Sequence, residues 1–125
     1  MKPLPLLVLC CVLVACANSS SRSKLSADQK SIAEEAMRAQ IACGEEHVAE
    51  TDDGTSDAST IAFALALRCN REYGALTEAW GAAYLDNEAQ RRIFQRRRSG
   101  SAERMEAFLP TVMRYRQTSS SPKTR

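Results

Sequence analysis

The chain has 125 residues, a formal net charge of +2, five cysteines and one histidine. That length holds one small domain, and no internal repeat divides it further. Cys43, Cys69 and the lone His47 are the only cysteine or histidine ligands beyond the first sixteen residues, too few for a zinc centre. The near-zero total charge conceals a strong segregation along the chain.

The N-terminus carries an export pattern. Lys2 supplies a positive start, and Leu4 to Ala15 is apolar apart from Pro5. A positive residue followed by roughly 7–15 apolar ones is the arrangement of a secretory signal. At about 1.5 Å of rise per residue, such a helix falls well short of a hydrocarbon core roughly 30 Å thick. Within the signal, Cys10 and Cys11 behave as small hydrophobes.

The segment closes on Leu13-Val14-Ala15-Cys16. This run resembles the lipobox of bacterial lipoproteins: an apolar residue, a small or β-branched one, a small one, then cysteine. The resemblance covers the first sixteen residues only. It implies that signal 1–15 is removed, that the Cys16 thiol receives a diacylglyceryl group, and that the new amino group takes a further acyl chain of the palmitate kind. One chain anchors weakly; several hold a protein on a membrane essentially permanently. The alternative is a non-lipidated signal cleaved near Ala17. With alanine rather than aspartate after the cysteine, the resemblance implies a periplasm-facing anchor on the outer membrane rather than the inner one.

The remaining chain reads as a lipidated flexible tether over 16–25, a helical domain over 26–117 and a disordered tail over 118–125. The tether is rich in serine and lacks apolar pattern, and the tail resembles it. Cys43 and Cys69 are an even pair in an exported chain, which points to a structural disulfide. They lack the Cys-x-x-Cys spacing of a redox pair. Closing a loop of 26 residues contributes about 3.5 kcal/mol by the chain-entropy estimate.

The predicted elements are all helical. Ser26 and Gln29 fit a capping box, and Ile32, Ala36, Ala39 and Cys43 share one face of a first helix running to about Glu50. Asp52 to Ser56 form a turn, and Ser56 or Asp57 caps a second helix. In that helix Ile61, Leu65, Cys69, Leu76, Trp80 and Ala83 make one stripe, with Tyr73 at its edge. An antiparallel hairpin of these two helices brings Cys43 and Cys69 to the same level. Gly74 and Gly81 share another face, where a neighbouring helix packs closely or the helix bends. A third helix spans about Glu88 to Arg98. After a break at Ser99-Gly100-Ser101 a fourth carries Met105, Phe108, Leu109, Val112 and Met113, with Pro110 expected to kink it or start a new turn. The expected architecture is an all-α bundle of about four helices containing a disulfide-stapled hairpin.

Charge divides the domain. From Ala27 to Leu85 there are eleven acids and four bases; from Asp86 onward there are ten bases and four acids. Arg91, Arg92, Arg96, Arg97 and Arg98 form the most basic stretch. Export makes nucleic acid an improbable partner, which leaves internal pairing, anionic lipid headgroups near the anchor or an envelope protein partner. The acidic stretch Glu45 to Asp57 does not match the ligand spacing of a calcium loop and reads as a solvated helix end, with no metal expected.

No serine elbow, zinc-hydrolase helix or phosphate-binding glycine loop is present, and His47 has no evident nucleophile beside it. The expectation is therefore a non-enzymatic envelope lipoprotein with no cofactor, acting as a structural or accessory binding module. The alternative is a periplasmic inhibitor or immunity protein against a toxin or wall hydrolase, with Asp52 and Asp53 as the inhibitory turn. Oligomeric state is not legible.

Overall fold

A computed structural model describes residues 6–120, with side chains described from Ala27 onward. Residues 1–5 and 121–125, and the lipobox chemistry expected at Cys16, lie outside that description. The described chain is all helical: α1 Leu6–Thr51, α2 Ala58–Arg68, α3 Asn70–Tyr84, α4 Glu88–Arg98 and α5 Ser101–Ser119. Among the described residues, no helix is long and apolar enough to cross a membrane.

One N-terminal and one C-terminal boundary differ from the sequence reading. Ser26 does not start a helix; α1 continues N-terminally through 16–25, expected as a flexible tether. Once the packed part of α1 is formed, each further residue requires only propagation, which is far easier than nucleation. At the other end, α5 reaches Ser119, two residues into the segment expected as a disordered tail.

The helix count is five because the long second helix breaks at Cys69. Its φ of −95° and ψ of 27° leave the α-helical region, while its N–H still donates to the Leu65 carbonyl and its own carbonyl accepts from Tyr73. The Cys43–Cys69 disulfide, with Cα atoms 6.0 Å apart, sits at this break. The break lets α2 and α3 pack on different partners. The two largest helix contacts are α3 on α1 and α2 on α5.

The main core lies beside the α1–α2 turn. Val48, Ile61, Ala62, Leu65, Ala66, Cys69, Tyr73, Phe108 and Val112 form one buried cluster. The buried face of α1 is rotated from the expected one. Ala33, Gln40, Gly44 and Val48 are buried, whereas Ile32 is 57% exposed and Ala39 is exposed. Gly44 explains the rotation: a Cβ there would lie 3.3 Å from Phe108 Cδ1, so the missing side chain admits α5 against α1. Gly81 is buried with Phe94 3.6 Å from the position of a Cβ, whereas Gly74 has nothing within 4 Å. Close packing is thus found at one of the two glycines, and the bend lies at neither. Pro110 is contained within α5; it and Glu106, whose carbonyl loses its helical donor, are both exposed, where water can replace the bond.

Gly54 has φ 71° in the turn, the left-handed region that favours glycine. Asp57 caps α2 by accepting from the Thr60 N–H at 2.8 Å, and Asn87 caps α4 by accepting from Gln90 at 2.8 Å.

Replacing Cys43 and Cys69 together by serine should lower the unfolding free energy by about 3.5 kcal/mol. Denaturant unfolding of the oxidised chain and the double variant, followed by helical circular dichroism, measures the difference.

Candidate interaction surface

The half of the domain farther from the turn is less complete. There α1 before Cys43, α3 and α4 form an open layer, and α4 buries no residue fully. Lys30 Nζ lies 5.8 Å from the centre of the Tyr84 ring, which places the end of α3 beside the start of the described part of α1. The α4 helix then runs back along α3, and the Arg98 carbonyl accepts from the Tyr73 hydroxyl at 2.8 Å.

An aromatic stack holds α4 in place. Trp80 and Phe94 have ring centres 4.9 Å apart and nearly parallel planes, and Tyr84 follows at 4.7 Å from Trp80. Trp80 and Tyr84 are four residues apart on α3, so they share a face. Met37 of α1 joins Trp80 and Phe94 around a groove of about 340 Å³. A second groove of about 520 Å³, lined by Leu85, Ile93, Phe94 and Arg97, adjoins it through Phe94. Both are mainly apolar, yet Trp80 is 40% exposed and Ile93 61%. Trp80 was expected in the core stripe; the backbone change at Cys69 turns α3 so that its continuation of that stripe leaves the core.

The five arginines of α4 separate into two roles. Arg91 Nε donates to the Leu85 carbonyl at 2.9 Å and fastens the start of α4 to its connection. The Arg98 guanidinium lies 5.0 Å from the Tyr73 ring centre, with its Nε buried and without a protein acceptor. Arg92 is ion-paired with Glu88 one turn earlier. Arg96 and Arg97 are exposed and form no ion pair among the described residues. On helical spacing, Arg97 shares a flank with Ile93, and Arg96 stands at its outer edge. Internal pairing of the basic half does occur, but mostly through α5. Arg114 meets Glu45 at 3.0 Å, and Arg116 meets Asp52 at 2.7 Å.

The turn acids are engaged by the chain itself. Arg116 donates from Nε and Nη2 to the two Asp52 oxygens at 2.8 and 2.7 Å, and Nη2 also donates to the Ser56 carbonyl. The Asp52 side chain is 3% exposed. The Arg116 hydrogen bonds hold its carboxyl below the usual carboxylate range, against the effect of burial. Asp53 accepts from Thr55 N–H, Ser56 N–H and Ser56 Oγ, which keeps it far below that range. Hydrogen bonds from Ser59 and Thr60 act likewise on Asp57. His47 is half-buried with Nδ1 lacking a protein partner, and no group of three or more His, Cys, Asp or Glu among the described residues could hold a metal.

The sequence reading brought forward the arginines of this surface but not its aromatic part. The signal was present in the spacing of Trp80 and Tyr84, with Phe94 central in α4. It was hidden because Trp80 also fits an unbroken core stripe. No protein-family model, curated protein or solved structure matches the chain.

Asp52 should link stability to acid pH. Its folded pKa is lowered, so its stabilising contribution is present above the unfolded pKa and disappears as pH falls through the folded one, below the ordinary aspartate value of 3.8. Asp52→Asn should lower the denaturation midpoint at pH 7, and the gap to the parent chain should shrink below pH 3.8. Urea titrations of both proteins across that interval check the sign.

Proposed function

We propose that this chain is a lipid-anchored, non-enzymatic accessory binding module of the bacterial cell envelope, periplasm-facing and attached through Cys16 to the outer membrane. The lipobox-like Leu13-Val14-Ala15-Cys16 supplies the anchor. The observation that carries the binding role is the incomplete α1–α3–α4 layer, which leaves Met37, Trp80, Tyr84 and Ile93 exposed beside Arg96 and Arg97, which form no ion pair among the described residues. A contiguous exposed apolar patch rimmed by polar side chains is the mark of a contact surface. The Cys43–Cys69 disulfide suits an oxidising compartment.

The inhibitor reading placed its contact at Asp52 and Asp53. Both carboxylates already accept two or more hydrogen bonds within the chain, so engaging a basic cleft would require them to exchange existing partners.

Expressed from its own signal in a bacterium, the chain should fractionate with membranes and resist extraction by high salt. Its N-terminal peptide should carry the mass of a diacylglyceryl cysteine. Cys16→Ala should move it to the soluble periplasmic fraction; unchanged fractionation together with an unmodified Cys16 would overturn the anchor.

A further inference from the structure

We infer that the α3–α4 face is a lipid-docking surface: Trp80, Tyr84 and Ile93 settle at the interface of an anionic bilayer while Lys30, Arg96 and Arg97 meet its headgroup phosphates. This inference rests on the proposed Cys16 anchor and names what that anchor brings the domain against.

Position supports it first. Lys30 marks the end of the face, because its ammonium lies over the Tyr84 ring. Only fourteen residues separate it from Cys16, about 21 Å of helix or at most about 50 Å of extended chain. The turn that carries Asp52 and Asp53 lies at the opposite end of the domain. An anchor at Cys16 therefore brings the Lys30–Tyr84 end of this face nearest the bilayer and keeps the acidic end away from it; Arg96 and Arg97, at the far end of α4 beside Tyr73, reach headgroups when the face lies along the bilayer.

Chemistry supports it next. Trp80 and Tyr84 combine an apolar ring with a polar edge, the side chains favoured where hydrocarbon meets water. Ile93 adds aliphatic surface on the same flank as Arg97. Arg96 and Arg97 form no ion pair among the described residues, so binding phosphates breaks no ion pair made there. A thin apolar strip bordered by long cationic side chains is the composition of surfaces that lie on anionic membranes.

The anchor also removes the need for a tight contact. With acyl chains inserted, docking is intramolecular, and a short connection gives it a high effective concentration. A weak, salt-sensitive contact is then enough to orient the domain.

Trp80 is the only tryptophan in the chain, so its fluorescence reports on this face directly. The test uses the full lipidated protein in phosphatidylcholine vesicles with and without phosphatidylglycerol, both containing lipids brominated near the headgroup end of the acyl chains. Flotation is measured in parallel. Trp80 should be quenched at least about twofold more in the anionic vesicles. Added salt or the double variant Arg96→Glu/Arg97→Glu should remove that difference, with flotation and helical circular dichroism unchanged. Equal, weak quenching in both vesicle types with full flotation would overturn the docking surface and leave the anchor standing. Protection of Trp80 from soluble quenchers only when an envelope protein is crosslinked to α4 would overturn it in favour of a protein occupant. Failure of the protein to float would remove the anchor, and the docking inference with it.

Discussion

The Cys43–Cys69 disulfide lies at the point on which the rest of the fold depends. It joins α1, about two turns before its end, to the break between α2 and α3. On one side of that point α2 turns towards α5 and the core closes. On the other, α3 follows α1 and meets α4, while its first turn still reaches α5 through Tyr73 against Phe108 and Asn70 accepting from Arg104. A covalent tie restricts the unfolded chain wherever it lies. Here it also fixes α1 against the residue whose backbone departs from helix between α2 and α3, and Tyr73, one turn further on, carries the start of α3 into the same core.

The halves differ in how they use side chains. Beside the turn, apolar residues from α1, α2 and α5 interlock, Gly44 admits Phe108, and Arg116 closes the end by holding both Asp52 and the Ser56 carbonyl. Large apolar side chains remain at the surface in both halves, Phe63, Leu67 and Met113 in one and Met37, Trp80 and Ile93 in the other, but only in the second is a whole helix, α4, held by one aromatic stack and a few hydrogen bonds. A domain of this size has little core to spare, so exposed Trp80 and Ile93 represent apolar surface withheld from folding. The two apolar grooves that meet at Phe94, on a helix with no fully buried residue, are the physical basis for reading the α3–α4 end as a contact surface.

Pairing of opposite charges follows the same division. The arginines of α5 answer the acids of the turn end, which accounts for much of the asymmetry along the chain. The arginines of α4 face fewer acids: Arg92 pairs with Glu88 of its own helix, and Glu103 of α5 lines the same groove as Arg97 and Arg98. Arg91 and Arg98 serve backbone and aromatic contacts, and Arg96 and Arg97 stay free of ion pairs among the described residues. One basic sequence segment thus contains both structural and available cations, a distinction that charge counting does not make.

The sequence by itself determined the helical class, the disulfide pair and the bounds of α4, and narrowed the α2 cap to Ser56 or Asp57. Each depends on residues within a turn or two of one another, or on an even pair of cysteines with a single way to join. Only the tertiary structure decided the break at Cys69, the rotated face of α1 and the outward turn of Trp80. Each of these is set by partners distant in sequence: Cys43 for Cys69, Phe108 for Gly44, Phe94 for Trp80. Helical periodicity assumes a continuous axis, and a single residue with ψ near 27° is enough to redirect every side chain that follows it.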